Sequence, residues 1–222
     1  MARIARIIAP DLPHHVTQRG NRRQKLFVEE SDYALYRDLL AECCRANGVA
    51  CWAYCLMPNH VHLILTPSSE TGLSRAVGEA HRRYTAFFNA RARVTGHLFQ
   101  GRFACSVMDE DHLISALRYL AFNPVRARRV KRPEDWPHSS VAAHLAGKND
   151  KLVDVTPGLA RAPKFRQLLG DNLRPAEAAA FELAGANGRP MGGEAFLNEI
   201  EARLGRMVRP QKRGPKPGAI DK

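Results

Sequence analysis

The sequence predicts an α+β protein with a ferredoxin-like, split β-α-β core and one further helix added after that core. Three observations predict this class. Short β-prone segments alternate with amphipathic helical segments, a tight turn joins two of the strands, and the order of elements is β-α-β-β-α-β-α. The first six elements match the split β-α-β order, and the seventh is the added helix.

Turn and capping residues set the boundaries of these elements. The predicted elements are a strand over His14–Gln18, a helix from Ser31 or Asp32 to Ala46, strands over Val49–Leu56 and His60–Thr66, a helix over Leu73–Ala90, a strand over Arg102–Val107 and a helix over Asp111–Asn123. The turn Met57-Pro58-Asn59 makes the two middle strands a hairpin. Pro124 disfavours helical geometry at Asn123, so the last helix is expected to end or kink there.

The charge of the chain indicates a polyanionic partner. Lys and Arg number 34 and Asp and Glu 22, which gives a net charge of +12 at pH 7. Nucleic acid is the commonest partner of so basic a protein. The sequence shows neither an apolar run of membrane-spanning length nor a signal-peptide pattern, so we expect a cytoplasmic, nucleoid-associated protein without a membrane partner. Its five cysteines fit no disulfide framework and are expected to be buried.

The composition divides the chain into four regions. Residues 1–147 are expected to form the main domain, 148–163 a linker, 164–205 a small helical region and 206–222 a basic disordered tail. The third region contains two short predicted helices that could form a helix-turn-helix, although their Ala- and Gly-rich faces leave this open. We expect everything after about Lys148 to add nucleic-acid affinity rather than chemistry.

Two histidines alternate in the second strand of the hairpin. Side chains two residues apart in a strand point the same way, so His60 and His62 share one face. Two imidazoles on one face can bind a metal ion. A pair of hydrogen-bonded structural histidines is the alternative. A structural zinc site that adds Cys51 and Cys55 is disfavoured, because residues four apart in a strand are some 13 Å apart.

Two tyrosines on downstream helices differ in their position on the helical wheel. Tyr84 is at the centre of an apolar stripe and is expected in the core. Tyr119 falls almost opposite the apolar stripe of its helix, on the same face as Asn123, whose amide oxygen could complete a metal site. A plain surface tyrosine is the alternative. As a nucleophile, Tyr119 would need a nearby positive charge, because the pKa of a free tyrosine is near 10.

Five segments together resemble the HUH-type single-tyrosine transposases, and most of all their REP-associated branch. Each is weak alone, but all five occur in the family's order between residues 10 and 145. The segments are Pro13-His14-His15-Val16-Thr17-Gln18-Arg19-Gly20-Asn21, Leu56-Met57-Pro58-Asn59-His60-Val61-His62-Leu63-Ile64, Gly96-His97-Leu98-Phe99-Gln100-Gly101-Arg102-Phe103, Tyr119-Leu120-Ala121-Phe122-Asn123-Pro124-Val125 and Trp136-Pro137-His138-Ser139-Ser140.

The resemblance implies a chemistry and a set of roles. It implies that His60 and His62 bind Mg²⁺ or Mn²⁺, that Tyr119 is the nucleophile, and that Asn123 is the third ligand, where the family has a Gln or a carboxylate. It implies cleavage and joining of single-stranded DNA hairpins or palindromic repeats through a covalent 5′-phosphotyrosine, with residues 1–147 as the transposase or nuclease domain. It also implies a homodimer, with a monomer left open. Imidazoles are softer than Mg²⁺ prefers, so we expect Mn²⁺ to give the strongest activity in vitro.

Basic residues flank the predicted site. Eleven Lys or Arg and three acids occur from Arg82 to Arg132, a local net charge of 11 − 3 = +8. The tail over residues 210–217 resembles an AT-hook, with Pro215 in place of the usual Arg. The residues expected to contact nucleic acid are Arg19, Arg22, Arg23, Arg82, Gln100, Arg102, Arg126, Lys212, Arg213 and Lys216.

Three functions are consistent with these patterns. The first is DNA cleavage and strand transfer. The second is the same chemistry in a host-kept nuclease that processes dispersed palindromic repeats. The third is a nucleic-acid-binding module without catalysis. The presence of His60, His62 and Tyr119 argues against the third.

Overall fold

The computed structural model describes residues 5–170 and 175–210 and confirms the α+β class. Its strands and helices are β1 (His14–Arg19), α1 (Glu30–Ala46), β2 (Val49–Met57), β3 (His60–Pro67), α2 (Gly72–Ala92), β4 (Ala104–Val107), α3 (Glu110–Arg126), α4 (Val141–Ala146), α5 (Thr156–Arg161), α6 (Phe165–Leu168), α7 (Pro175–Asn187) and α8 (Glu194–Leu204). The predicted order β-α-β-β-α-β-α is the observed order up to α3.

The four strands form one antiparallel sheet in the order β2-β3-β1-β4. Strand β3 lies between β1 and β2, which is the arrangement that a split β-α-β core requires. In the register of β1 with β3, Arg19 is opposite His60 and Thr17 is opposite His62. This pairing brings the start of β3 beside the end of β1, where the turn of the hairpin and the basic loop after β1 meet.

The two faces of the sheet carry different helices. Alternate β3 residues, Val61, Leu63 and Leu65, are fully buried in the core that α1 and α2 cover. The side chains between them, His60, His62 and Ile64, point to the opposite face. That face is covered by α3 and by α7, which packs against β4 and α3. The predicted separation of the two His side chains from the apolar core therefore follows from strand alternation.

Helix α3 differs from the prediction in two ways. It continues through Pro124 to Arg126, because the proline lies in the last turn and removes only one hydrogen bond there. Tyr119 is only 3 % exposed, so the expectation that it lies away from the apolar side is wrong. The reason is that α7 covers the side of α3 that the helical wheel assigned to solvent.

The segments expected to be a linker and a disordered tail are packed where the structure describes them. Within 148–163, Leu152, Val153 and Val155 are buried, and the Tyr54 hydroxyl donates to Asp150 at 2.6 Å. Val208 is 1 % exposed, and the Arg209 guanidinium pairs with Glu194 and Glu201 of α8. Hydrophobic residues spaced singly in polar segments therefore anchor both regions. Residues 211–222, with Lys212, Arg213 and Lys216, lie outside the described residues.

The cysteines are free and buried, as predicted. A β-bulge between Cys51 and Ala53 puts Cys51 and Cys55 into the cores on opposite faces of the sheet, so the two thiols do not form a common site. None of the helices in residues 5–170 and 175–210 combines the length and the apolar character needed to cross a membrane.

Candidate active site

His60 and His62 stand on the α3 face of β3 beside Asn123 of α3. Their ring centres are 4.9 Å apart, with the ring planes nearly perpendicular. The Asn123 amide nitrogen donates to Nε2 of His62 at 3.1 Å, and Oδ1 of Asn123 lies 3.3 Å from Nε2 of His60. The three residues that the resemblance assigns to a metal therefore face one another across a few ångström.

Neighbouring residues orient both imidazoles with Nε2 toward Asn123. Nδ1 of His60 lies 2.7 Å from Oδ1 of Asn59, and Nδ1 of His62 lies 3.1 Å from Nε2 of His15. A neutral imidazole has one N–H group. If Nδ1 of each ring donates to these neighbours, each Nε2 atom carries a lone pair. The Nε2 lone pair of His60 then faces a lone pair on Oδ1 of Asn123. A cation would stabilise this arrangement, so the residues fit a divalent metal.

The pKa values of the histidines favour the neutral, metal-binding form. Burial and the positive charge of Arg19 lower the pKa of His60 to about 4. Burial and the neighbouring His60 and His15 hold the pKa of His62 well below its usual value. Among the described residues, His, Cys, Asp and Glu do not gather in any group of three or more that could hold a metal. The polar group that faces both imidazoles here is the neutral amide of Asn123.

Tyr119 lies against His62 in the same chain. The two ring centres are 5.3 Å apart in an edge-to-face contact, and Phe181 of α7 stacks on the other side of the tyrosine at 4.9 Å. Burial raises the pKa of Tyr119, whereas the Arg126 guanidinium, 5.5 Å from the ring centre, lowers it. The phenol is consequently protonated in this state but lies beside a cation that stabilises the phenolate.

A cavity of about 660 Å³ opens over these groups. Of the basic and polar residues predicted to contact nucleic acid, four border it, namely Arg19, Gln100, Arg102 and Arg126. Glu182 of α7 also borders it and pairs with Arg126 at 3.0 Å. The site thus combines two neutral imidazoles and an amide that fit a metal ion, a tyrosine, and guanidinium groups that can hold a phosphodiester.

Other predicted contact residues lie elsewhere. Arg22 and Arg23 are exposed in the loop after β1, and both have a left-handed backbone, with φ of 51° and 62°. Non-glycine residues rarely adopt this conformation, and the loop is closed by backbone hydrogen bonds to Gly20 and Asn21. Arg82 is on α2, on the other face of the sheet, where it pairs with Glu79 at 2.7 Å.

Sequence reasoning missed His15, Asn59, Phe181 and Glu182. His15 lies on the same face of β1 as Thr17 and Arg19, because side chains two residues apart in a strand point the same way. Strand periodicity could therefore have placed His15 near the site once the pairing of β1 with β3 was known. Phe181 and Glu182 belong to an Ala-rich helix far along the chain, and nothing in their local pattern indicates the site. The C-terminal region therefore contributes to the walls of the site. That it adds affinity rather than chemistry stays a prediction.

The motif Trp136-Pro137-His138-Ser139-Ser140 is hydrogen-bonded to strand β2. The Trp136 indole donates to the carbonyl of Leu56 at 3.2 Å, and the Ser140 hydroxyl accepts from the backbone N–H of Tyr54 at 3.0 Å. These bonds attach the segment after α3 to the edge strand β2. The motif therefore fixes the position of α3 relative to the hairpin rather than supplying a reactive group.

Comparison with known proteins gives the family of the chain and structures that are similar to it. The family model described as "Transposase IS200 like" matches residues 9–123. A structure of the REP-associated tyrosine transposase bound to a REP hairpin is similar in fold, with a TM-score of 0.57 and 23% identity over 70% of this chain and 93% of that one. A candidate transposase from Deinococcus radiodurans R1 has a TM-score of 0.36 and 24% identity over 47% of this chain and 84% of that one. No curated protein matches the chain.

Proposed function

Because the chain belongs to the IS200-like transposase family, we propose that it cleaves and rejoins single-stranded DNA with Tyr119 as nucleophile and a divalent metal at His60, His62 and Asn123. The observation that carries this proposal is the convergence of Tyr119 and the His60–His62 pair on one cavity lined by guanidinium groups. The similar structure bound to a REP hairpin supports a hairpin or palindromic repeat as substrate.

The residues suggest a division of tasks in the cleavage step. The Tyr119 oxygen attacks the phosphorus of a phosphodiester, the bond from phosphorus to the 3′ oxygen breaks, and a 5′-phosphotyrosine forms. The phenol proton is lost to solvent, and the leaving 3′ oxygen takes up a proton to become a free 3′-OH. Arg126 stabilises the phenolate, and Arg19 and Arg102 hold neighbouring phosphates. Rejoining is the reverse attack, by a 3′-OH on the phosphotyrosine.

The metal would supply charge stabilisation at the scissile phosphate. His15 and Asn59 keep the two imidazoles oriented for it through their contacts with the Nδ1 atoms. Since two of the three ligands are imidazoles, we expect Mn²⁺ to support cleavage better than Mg²⁺. One chain holds the tyrosine and all three ligands, so a site does not require residues from a second copy. The homodimer remains a prediction.

The test is the covalent intermediate itself. Single-stranded hairpins labelled at their 3′ end are incubated with the protein and Mn²⁺, and the products are separated on a denaturing gel. We expect labelled protein in the presence of Mn²⁺ and none after chelation. Mass spectrometry should locate the nucleotide on the peptide that contains Tyr119. Cleaved DNA without a protein-linked fragment would instead indicate a hydrolytic nuclease, and no cleavage with tight binding would favour a non-catalytic module.

A further inference from the structure

A second cavity lies beside the loop of residues 97–103, which borders the candidate active site. It has a volume of about 690 Å³ and lies between α2 and residues 97–103. Gln100 and Arg102 line both cavities, so the two spaces meet at this loop. A cavity of several hundred Å³ is the size that a small organic group occupies. The first cavity faces α3 and this one faces α2, on the opposite side of the sheet.

The walls of the second cavity suit a nucleobase. Phe99 stacks on the imidazole of His81, with ring centres 4.1 Å apart and planes 20° apart. The Arg6 guanidinium lies 3.8 Å above the ring of Phe103. Flat aromatic and guanidinium surfaces stack on bases regardless of sequence. Ser74, Thr85 and Asn21 provide hydrogen-bonding groups around these surfaces.

The charge at this cavity suits a phosphate backbone. Arg6, Arg82 and Arg102 border it; Arg82 pairs with Glu79, but none of the described residues that line the cavity is acidic. Arg102 also borders the first cavity. A strand whose phosphate lies near Arg102 in the candidate active site would therefore meet further guanidinium groups as it passes the loop.

A glycine in α2 keeps this space open. Gly78 is in the second turn of the helix, where glycine is less favourable than alanine. A Cβ atom built at Gly78 meets no atom within 4 Å, so close packing does not require a glycine there. Gly78 lines the cavity, and a larger side chain at this position would enter it. The helix thus carries a locally unfavourable residue at a wall of the cavity, where a larger side chain would occupy space that a base could fill.

We infer that this second cavity binds an unpaired nucleotide of the DNA strand that enters or leaves the candidate active site, with the base between α2 and the 97–103 loop and its phosphate at Arg102. The inference rests on the proposed function, because it takes single-stranded DNA as the substrate. It adds a binding site for the unpaired nucleotides beside a hairpin, and this site is separate from the tyrosine and the proposed metal ligands.

The test compares a labelled hairpin that carries four unpaired nucleotides on each side with the same hairpin trimmed to its paired stem. Affinities are measured for the unchanged protein, for Gly78→Leu and for the matched control Gly78→Ala. We expect the flanks to increase affinity roughly tenfold in the unchanged protein and in Gly78→Ala. In Gly78→Leu this gain should fall to twofold or less, while affinity for the trimmed hairpin and the melting temperature stay unchanged.

A positional readout is independent of affinity. A flank that contains 5-iodouracil should cross-link on irradiation to the peptides with Phe99 or Phe103 in the unchanged protein, and the yield should fall in Gly78→Leu. Equal flank gains in all three proteins, or cross-links confined to other peptides, would overturn the inference. Such a result leaves the proposed function standing if the Tyr119 adduct still forms. Absence of any hairpin binding or adduct would count against the proposed function, and with it the inference.

Discussion

Tyrosine and histidine residues lie on both faces of the sheet, but their hydrogen-bond partners differ between the two faces. On the face covered by α1 and α2, the Tyr84 hydroxyl donates to the carbonyl of Leu26 at 2.7 Å, and the Tyr36 hydroxyl lies 2.9 Å from Nε2 of His81. On the other face, the polar atoms of His60, His62 and Asn123 contact one another and those of Asn59 and His15, and the three residues border a cavity.

This difference shows that burial alone does not distinguish a structural tyrosine from a reactive one. Tyr84 and Tyr119 are both buried, and burial raises the pKa of each. Tyr84 lies in an apolar core, bonded to a backbone carbonyl. Tyr119 lies between Phe181 of α7 and His62, with Arg126 beside it. The partners of a buried tyrosine, rather than its exposure, distinguish a structural role from a reactive one.

The largest contrast should come from removing one hydroxyl on each face. In Tyr119→Phe we expect complete loss of the DNA–protein adduct, with folding and hairpin binding retained, because only the nucleophilic oxygen is removed. In Tyr84→Phe the adduct should persist, and loss of one hydrogen bond should reduce the free energy of unfolding by about 1 kcal/mol. Denaturing gels and urea titrations measure the two effects. An adduct that survives in Tyr119→Phe but not in Tyr84→Phe would reverse the assignment of the two faces.

A second contrast concerns the histidines. We expect His62→Gln to weaken Mn²⁺ binding by more than about 100-fold, since loss of an outer hydrogen-bond partner of a metal ligand already costs ~10–100-fold. His81→Gln on the α2 face should bind Mn²⁺ as the unchanged protein does. Calorimetry gives the affinities, and the rise of the melting temperature with Mn²⁺ gives a second measure. Equal affinity in His62→Gln would show that the metal is held elsewhere.

Both faces should respond to acid in the same direction. Burial lowers the pKa of His81 to about 3 and that of His60 to about 4, below the unfolded value of 6.5. Protons then bind preferentially to the unfolded chain, so stability is full above pH 6.5 and is lost as the pH falls toward the folded pKa values. For His81 this amounts to roughly 1.4 kcal/mol for each pH unit below 6.5. Urea unfolding from pH 7 to 4 should show a shallower loss in His81→Gln, and identical pH slopes would contradict the assignment.

The smallest effect concerns the wall that α7 contributes. Glu182 pairs with Arg126, and both are partly exposed. In Glu182→Gln we expect hairpin affinity to rise about two- to fivefold, because a carboxylate that competes with phosphate for Arg126 is removed. Glu199→Gln makes the same charge change on α8 and serves as the control. The gain should shrink at high salt. An equal rise in the control would indicate net charge alone, with no specific role for α7.

The sequence by itself determined the class of fold and the side of β3 on which the histidines lie. Strand alternation is a local geometric rule, so His60 and His62 could be placed on one face without a structure. The order of elements could also be predicted from the sequence, because turn residues and helical periodicity are patterns within short segments of the chain. The family could be identified as well, since five short motifs in order depend on residue identity alone.

Only the tertiary structure decided what surrounds Tyr119. The helical wheel assumes that one side of α3 faces solvent, but α7 packs there and buries the ring under Phe181. The register of β1 with β3 placed His15 beside His62, and packing fixed Leu152 and Val208 in segments whose composition predicted a linker and a tail. These features depend on contacts between residues far apart in the chain. Local sequence patterns do not reveal such contacts, because the packing energy depends on both contacting segments together and not on either segment alone.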